Sequence, residues 1–326
     1  MTQAAPFAEI WRGPFLESVH SGHAVVCDSS GQILQAWGDP DTVILPRSSA
    51  KMIQALPLIQ SGAADAYGLG PQHLALACAS HQAADLHVGI ISDWLKTLGL
   101  DDSAFRCGTA VPGDEAARNA LVCSGTQPCQ IHHECSGKHA GFLTVNTHMG
   151  GSADYEKPDH PVQRACLEAF ERVTGTTSPG FGIDGCSVPN FATTLHGMAR
   201  AMAHFAAAPD GSAEARLHQA MRLHPDLVAG ETRACTNLMR AMNGKVALKT
   251  GAEGFFIAIL PDQNIGVALK AACGTKRAAE CAITSILVKL GALDPNHPEA
   301  LKYRNAPIEN RRGIITGTLK PAAGFA

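Results

Sequence analysis

The sequence predicts an α+β fold in which hairpins near both ends of the chain build one antiparallel sheet. Apolar runs separated by short polar turns occur in residues 15–39 and again in residues 245–274, which is typical of paired strands. Helical periodicity dominates between them. We expect a single domain over residues 1–326, in which residues 1–45 and 245–326 form the sheet and residues 46–244 form a helical, loop-rich part.

The N-terminal part begins with a predicted hairpin over residues 15–39, turned at the sequence DSSG. A helical pattern follows over residues 52–59, and Pro57 should interrupt it because proline supplies no backbone N–H. A short apolar segment over residues 71–82 precedes an amphipathic helix over residues 84–100. These elements place residues 46–51 directly before a helix.

The middle of the chain, from about residue 101 to residue 190, is predicted to be loop-rich and holds most of the glycine, proline, histidine and cysteine clusters. The C-terminal hairpin turns at the sequence PDQN. Helical patterns are predicted at four further places: residues 161–175, 192–208, 213–225 and 276–293.

Composition narrows the function classes. The chain is 45% hydrophobic and 17% charged, as in globular proteins, and its formal net charge is −3 with no block of Lys and Arg. We therefore expect no nucleic-acid partner. The N-terminal residues lack the pattern of a signal peptide and no apolar run approaches membrane-spanning length, so we predict a cytoplasmic protein without a membrane partner.

Eleven cysteines, an odd number without an export signal, indicate reduced thiols, most of them small buried side chains. Cys135 and Cys186 differ, because glycine and polar residues flank them, and His132, His133 and His139 lie near Cys135 in the chain. Thiolates with a histidine suit zinc. Their spacing matches no C-x-x-C knuckle, so inert packing is the alternative.

The sequence RSSAK places Ser48 and Lys51 at S-x-x-K spacing near a predicted helix start. Residues i and i+3 of a helix share a face, so the lysine amine can reach the serine hydroxyl. A neutral lysine can activate a serine nucleophile, and apolar surroundings disfavour the charged ammonium. The ordinary alternative is a capping serine beside a solvated lysine.

A second motif, Lys249-Thr250-Gly251, begins a predicted strand. S-x-x-K followed by K-T-G is the motif order of serine β-lactamases and penicillin-binding proteins. Their S-D-N element is missing here. Ser80, which precedes His81 and Gln82, could take its place beside Lys249, or could be structural.

Five longer blocks extend the likeness over nearly the whole chain: LPRSSAKMIQALPLI, LALACASHQ, HHECSGKHAGFL, GIDGCSVPNF and LKTGAEG. Together they resemble the rhizobial-type L-asparaginases, a family similar in fold to serine β-lactamases and serine-dependent glutaminases. The resemblance implies a β-lactamase-like α+β fold and hydrolysis of L-asparagine to L-aspartate and ammonia. It also suggests a homodimer.

The resemblance implies roles for particular residues. Ser48 with Lys51 and Ser80 with Lys249 would be the catalytic pairs, and the nucleophile is Ser48 by analogy or else Ser80. One zinc ion per chain and substrate contacts complete the implied site, with the zinc held by Cys135, Lys138 and Cys186 and the substrate by Arg47, His139 and Asp184. Two alternatives remain: another β-lactamase-like serine amidohydrolase, such as a glutaminase or peptidase, and a zinc-binding protein without activity.

Overall fold

The computed structural model describes residues 3–326 and divides the chain into two compact units. Unit 1 comprises the described part of residues 1–49 together with residues 193–207 and 237–326. Unit 2 comprises residues 50–192 and 208–236. The expectation of one catalytic domain over the whole chain stays a prediction.

The strands are numbered along the chain. They are β1 (Ala5–Arg12), β2 (Phe15–Asp28), β3 (Ile33–Trp37), β4 (Val43–Ile44), β5 (Phe181–Ile183), β6 (Pro189–Phe191), β7 (Thr193–Thr194), β8 (Ala247–Gly251), β9 (Phe255–Leu260), β10 (Ile265–Ala271), β11 (Ala306–Glu309) and β12 (Ile315–Pro321). Eight of them form the sheet of unit 1 in the order β11-β12-β1-β2-β10-β9-β8, with β3 also paired to β2. Every pairing is antiparallel.

The helices are numbered in the same way. They are α1 (Lys51–Gln54), α2 (Leu56–Gln60), α3 (Ala63–Ala66), α4 (Pro71–Ala77), α5 (Asp85–Thr97), α6 (Glu115–Ser124), α7 (Ser136–Met149), α8 (Pro161–Thr174), α9 (Leu195–Ala206), α10 (Ala213–Leu223), α11 (Pro225–Ala229), α12 (Ala234–Ala241), α13 (Lys276–Lys289) and α14 (Pro298–Arg304). None of these helices has both the length and the apolar character needed to cross a bilayer.

The predicted α+β fold is confirmed, because strands from both ends of the chain form one antiparallel sheet. The pairing of β2 with β10, from Asp28↔Ile265 to Gly22↔Ala271, joins the N-terminal hairpin to the C-terminal hairpin. Both hairpins lie where the sequence predicts them, since β2 pairs with β3 and β9 pairs with β10.

Helices α9 and α13 pack on this sheet. All six residues of β9 are buried, which its uninterrupted apolar sequence allows. Gly266 in β10 permits the close approach of α9, because a Cβ atom there would lie 2.0 Å from the backbone nitrogen of Ala203. The core of unit 1 therefore lies between the sheet and its covering helices.

Unit 2 is mainly helical. Helix α4 packs against α7 and α10, and α5 and α8 also contact α7. The first eleven residues of α7 are all buried. This helix occupies the middle of the unit and presents Cys135, at its N-cap, and Lys138 to the interior.

The predicted interruption of the helix near Pro57 is confirmed, since the chain forms α1 and α2, with Pro57 in the first turn of α2. Other elements were not predicted. The stretch predicted as loop-rich contains α6 and α7. Strands β1, β11 and β12 were not predicted. A helix buried on every side, such as α7, shows no amphipathic period in its sequence.

Candidate active site

In unit 1, the segment that carries Arg47 and Ser48 lies against strand β8. Residues Arg47–Ala50 form a 3₁₀ turn. Ser49 Oγ donates a hydrogen bond to the backbone oxygen of Lys249 (3.1 Å). The glycine of the K-T-G motif allows this approach, because a Cβ atom on Gly251 would lie 2.6 Å from the carbonyl oxygen of Pro46. Unit 1 thus brings Arg47, Ser48 and Lys249 to neighbouring positions.

Lys249 is fully buried, which is unusual for a lysine. Its Nζ donates a hydrogen bond to the backbone oxygen of Thr250 (2.9 Å). Its pairing with Ser80 stays a prediction.

In unit 2, Lys51 is the centre of a buried hydrogen-bond cluster. The side chain is fully buried at the start of α1. Its Nζ lies 2.9 Å from Ser80 Oγ and 3.1 Å from Cys135 Sγ, and it also donates to the backbone oxygen of Ala79. Lys51 therefore joins a predicted catalytic serine to a predicted zinc ligand.

This arrangement suits both protonation states of Lys51. An ammonium group can donate to all three acceptors. A neutral amine can donate to Ala79 and Cys135 and use its lone pair to accept a hydrogen bond from the Ser80 hydroxyl. The same geometry therefore permits the proton exchange that a serine nucleophile requires.

The backbone around Ser80 is held from two sides. Ser80 N–H donates to the backbone oxygen of Val228 (2.9 Å), and His81 N–H donates to that of Glu134 (3.2 Å). His81 Nε2 lies 3.0 Å from Ser136 Oγ. Burial of the ring keeps the pKa of His81 well below its usual value, and the neighbouring His87 lowers it further. His81 thus ties the Ser80 segment to the start of α7 as a neutral ring.

Cys135, Lys138 and Cys186 lie together, as the resemblance implies. Lys138 Nζ donates to Cys186 Sγ (2.9 Å). The hydrogen bond from Cys135 lowers the pKa of Cys186 well below its usual value, and Lys138 and His139 also favour the thiolate. The same hydrogen bond, together with burial, raises the pKa of Cys135. The pair therefore shares one proton, with the negative charge on Cys186 facing Lys138.

Lys138 is almost completely buried and remains charged in this arrangement. Burial lowers its pKa, but the negatively charged Cys186–Cys135 pair outweighs burial and leaves that pKa above its ordinary value. Asp184 acts in the same direction. The half-buried Asp184, in the turn before Cys186, is therefore close enough to influence the cluster.

His139 follows Lys138 on α7 and is fully buried. Burial lowers its pKa to about 4, although the Cys186 thiolate opposes this shift. Its Nδ1 lies 2.8 Å from the hydroxyl of Tyr155. A side-chain hydrogen bond with Cys186 also acts on the ring. A neutral imidazole held by Tyr155 and Cys186 therefore lies beside Lys138.

The donor set fits zinc in its chemistry. Two sulfur ligands and one nitrogen ligand are what this ion prefers, and Cys186 already has thiolate character. Lys138 would have to lose a proton to bind the metal, and two thiolates beside it would compensate for the charge of the ion. The residues present are therefore suited to hold zinc.

A second, overlapping cluster also has suitable metal ligands. The ligand atoms of His133, Glu134 and Cys135 lie within 4.8 Å of one another. His133 Nδ1 already accepts a hydrogen bond from the backbone N–H of Cys135 (3.0 Å). Cys135 belongs to both sets, so they are alternatives for one ion.

Sequence reasoning missed Glu134 as a potential metal ligand and Tyr155 as a neighbour of His139. Glu134 adjoins Cys135, so its position in the chain was a signal. Tyr155 lies in a stretch that looks ordinary, since it is an isolated aromatic among polar and turn residues. Only the fold brings its hydroxyl to α7.

Comparison with protein families identifies the chain. The family model described as L-asparaginase II matches residues 8–321. The chain belongs to this family. Membership supports an amidohydrolase and confirms the resemblance on which the residue assignments rest. The comparison with curated proteins gives no match.

Solved structures with a similar chain trace include a β-lactamase from Mycobacterium bovis, at 15% identity and a TM-score of 0.47, covering 83% of this chain and 95% of that one. A protein named Mglu, in its Tris and glutamate form, has 10% identity and a TM-score of 0.48, covering 83% and 59%. An octameric penicillin-binding protein homologue from Pyrococcus abyssi has 12% identity and a TM-score of 0.34, covering 85% and 75%.

Proposed function

We propose that the protein is an L-asparaginase, which hydrolyses L-asparagine to L-aspartate and ammonia through an acyl-enzyme on serine. One observation carries this proposal: the buried Nζ of Lys51 lies 2.9 Å from Ser80 Oγ in a chain of the L-asparaginase II family. A lysine amine at that distance can serve as the base for a serine hydroxyl.

The proposed reaction uses the two serines and two lysines of the motifs. Ser48, by analogy with S-x-x-K enzymes, or Ser80, by its contact with Lys51, attacks the side-chain amide carbon. Lys51 takes the proton from the attacking hydroxyl and returns it to the leaving ammonia, and water then hydrolyses the ester. Lys249 is proposed as the partner of Ser80.

Substrate recognition is proposed to use charges of opposite sign. The guanidinium of Arg47 suits the α-carboxylate of asparagine, and the carboxylate of Asp184 suits its α-ammonium group. The imidazole of His139 suits a substrate oxygen. One additional methylene in a pocket changes transition-state binding by about 1–3 kcal/mol, so glutamine is the natural comparison.

Zinc is proposed to be held by Cys135, Lys138 and Cys186, one ion per chain. When bound, it would supply positive charge that polarises or orients a substrate oxygen. The chain's own part is to present two sulfur ligands and one nitrogen ligand from the start of α7 and the turn before β6. The further proposals of a homodimer and of a cytoplasmic location are tested by light scattering and by cell fractionation.

The deciding experiment measures ammonia release from asparagine and glutamine, together with nitrocefin hydrolysis, for the unsubstituted protein and Lys51→Met. We expect release from asparagine, and a loss of about 10²–10⁴-fold in kcat/KM for the variant, the range for removal of a general base. Ser285→Ala is the control, because it removes a buried hydroxyl, bonded to Arg304, without touching the proposed site.

Other outcomes would replace the proposal. Rapid nitrocefin hydrolysis without ammonia release would favour a different serine amidohydrolase. Stoichiometric zinc with no turnover of any amide would favour a zinc-binding protein without activity. Full activity in Lys51→Met would contradict the role of Lys51 as base.

A further inference from the structure

A cavity of about 490 Å³ lies in unit 1 beside Arg47. Its lining includes the side chains of His23, Glu253 and Lys270, together with apolar side chains of residues 43–45. All of these residues belong to unit 1. Ser48 follows Arg47 directly in the chain, so the cavity adjoins the segment that carries a proposed nucleophile.

Two pairs of strands build this cavity. In the large sheet, Lys270 of β10 pairs directly with His23 of β2, so their side chains lie on the same face. In the small sheet, Val43 of β4 pairs with Thr194 of β7, and Arg47 follows β4. Thr194 is also the N-cap of α9, which packs on β2 and β10. The fold of unit 1 thus brings the segment of Arg47 to the sheet position of Lys270.

The turn between β8 and β9, which carries Glu253, is held in place from two sides. Lys270 Nζ donates hydrogen bonds to the backbone oxygen of Glu253 and to that of Ala271, the second at 3.2 Å. Gly254 lets the turn approach the chain after β10, because a Cβ atom there would lie 2.8 Å from the carbonyl carbon of Gly274. The exposed side chain of Glu253 therefore starts from a fixed edge of the cavity.

The charges of the cavity match those of an α-amino acid. Lys270 is half-buried, and as an ammonium it has three N–H donors, of which backbone oxygens take two. Burial lowers the pKa of Lys270, and the carboxylate of Glu253 opposes this shift, so the two charged groups are close to each other. Arg47 and Lys270 can thus pair with a carboxylate, and Glu253 with an ammonium group. An α-amino acid carries both groups at neutral pH.

We propose that Glu253 and Lys270 are specificity-determining residues, and that the unit 1 cavity binds the charged head group of an α-amino acid. Lys270, together with Arg47, pairs with the α-carboxylate, and Glu253 pairs with the α-ammonium group. The identity of the amino acid, L-asparagine or its product L-aspartate, rests on the proposed function. Asp184, which belongs to unit 2, is the alternative partner of the ammonium group.

The experiment measures kcat/KM for three amides: L-asparagine, succinamate, which lacks the α-ammonium group, and 3-aminopropanamide, which lacks the α-carboxylate. In Glu253→Gln, the preference for asparagine over succinamate should fall about 10- to 100-fold, the range for one hydrogen bond to a charged group. In Lys270→Met, the preference for asparagine over 3-aminopropanamide should fall by a similar factor. Asp262→Asn is the matched control, because it neutralises an exposed carboxylate in the turn at the other end of β9 and should leave both preferences unchanged.

Binding of L-aspartate, measured by calorimetry, provides a readout that needs no turnover. We expect a higher Kd in Glu253→Gln and in Lys270→Met, and an unchanged Kd in Asp262→Asn. Equal losses for all three amides, unchanged preferences, or no binding of aspartate to the unsubstituted protein would overturn the proposal. Loss of the preference over succinamate in Asp184→Asn but not in Glu253→Gln would assign the ammonium group to Asp184 instead. If asparagine releases no ammonia, the proposed function fails, and the Kd values for aspartate still decide whether the cavity binds an amino acid.

Discussion

Gly137→Ala is expected to displace helix α7 from α4 and so disturb the Lys51 cluster. A Cβ atom on Gly137 would lie 2.5 Å from the backbone oxygen of Leu76 in α4, and a side-chain rotation cannot relieve a clash with backbone. Reaching even the tight distance of 3.0 Å requires a shift of about 0.5 Å. Overpacking of this kind costs about 1–3 kcal/mol.

The same substitution one turn further along α7 provides the comparison. At Gly141, a new Cβ atom would meet its nearest neighbours, in Ala77 and Leu58, at 3.5 Å, which is ordinary contact. Both substitutions gain about 1 kcal/mol of helix propensity. Gly141→Ala should therefore be neutral or stabilising, and Gly137→Ala should be about 1–3 kcal/mol less stable than it.

The effect on activity follows from the position of Gly137 in α7, next to residues of the proposed site. It lies between Ser136 and Lys138 on α7, and α4 leads into Ser80. A misplacement of about 1 Å can cost 10²-fold in rate, so a shift of half that size should lower kcat/KM for asparagine about tenfold.

Urea unfolding and ammonia release, measured on both glycine variants, test this reasoning. Gly141→Ala should match the unsubstituted protein in turnover. If Gly137→Ala equals Gly141→Ala in both stability and turnover, the close contact between α4 and α7 does not position the cluster.

Three further predictions concern the metal, strand β8 and the nucleophile. Cys186→Ser should abolish stoichiometric zinc binding measured by metal analysis, whereas Glu134→Gln should retain it; the reverse result would assign the ion to the cluster around His133. Gly251→Ala should lower both turnover and unfolding stability, the latter by about 1–3 kcal/mol, because the new Cβ atom would lie 2.6 Å from the carbonyl oxygen of Pro46; unchanged melting and kinetics would contradict this. Trapping the acyl-enzyme and mapping it by mass spectrometry should find the ester on Ser48, and a label on Ser80 would reassign the nucleophile.

Local sequence patterns predicted the elements that depend on interactions between residues close together in the chain. The strands β2, β3, β9 and β10 alternate with clear turns, and their hairpins form as expected. Helix α7 was missed because burial on all sides removes its amphipathic period. Strands β1, β11 and β12 were missed because their sequences are short or mixed, and the pairing of β1 with β12, which are far apart in the chain, helps to hold them in the sheet.

The sequence by itself determined which residue types are available for chemistry. The sequence alone shows the S-x-x-K and K-T-G motifs and the glycine-flanked Cys135 and Cys186. It shows them because the chemistry needs a hydroxyl, an amine and thiols, and these residue types can be recognised from the sequence. The match of the family model over residues 8–321 likewise rests on the sequence alone.

Only the tertiary structure decided which of these groups meet. It placed Lys51 beside Ser80 and Cys135, which lie 29 and 84 positions away in the chain, and it brought Tyr155 to His139 across 16 positions. The physical reason is that buried amines, thiols and imidazoles must find hydrogen-bond partners wherever packing leaves them. Helix packing, set by contacts such as that of Gly137 with Leu76, fixes which partners those are.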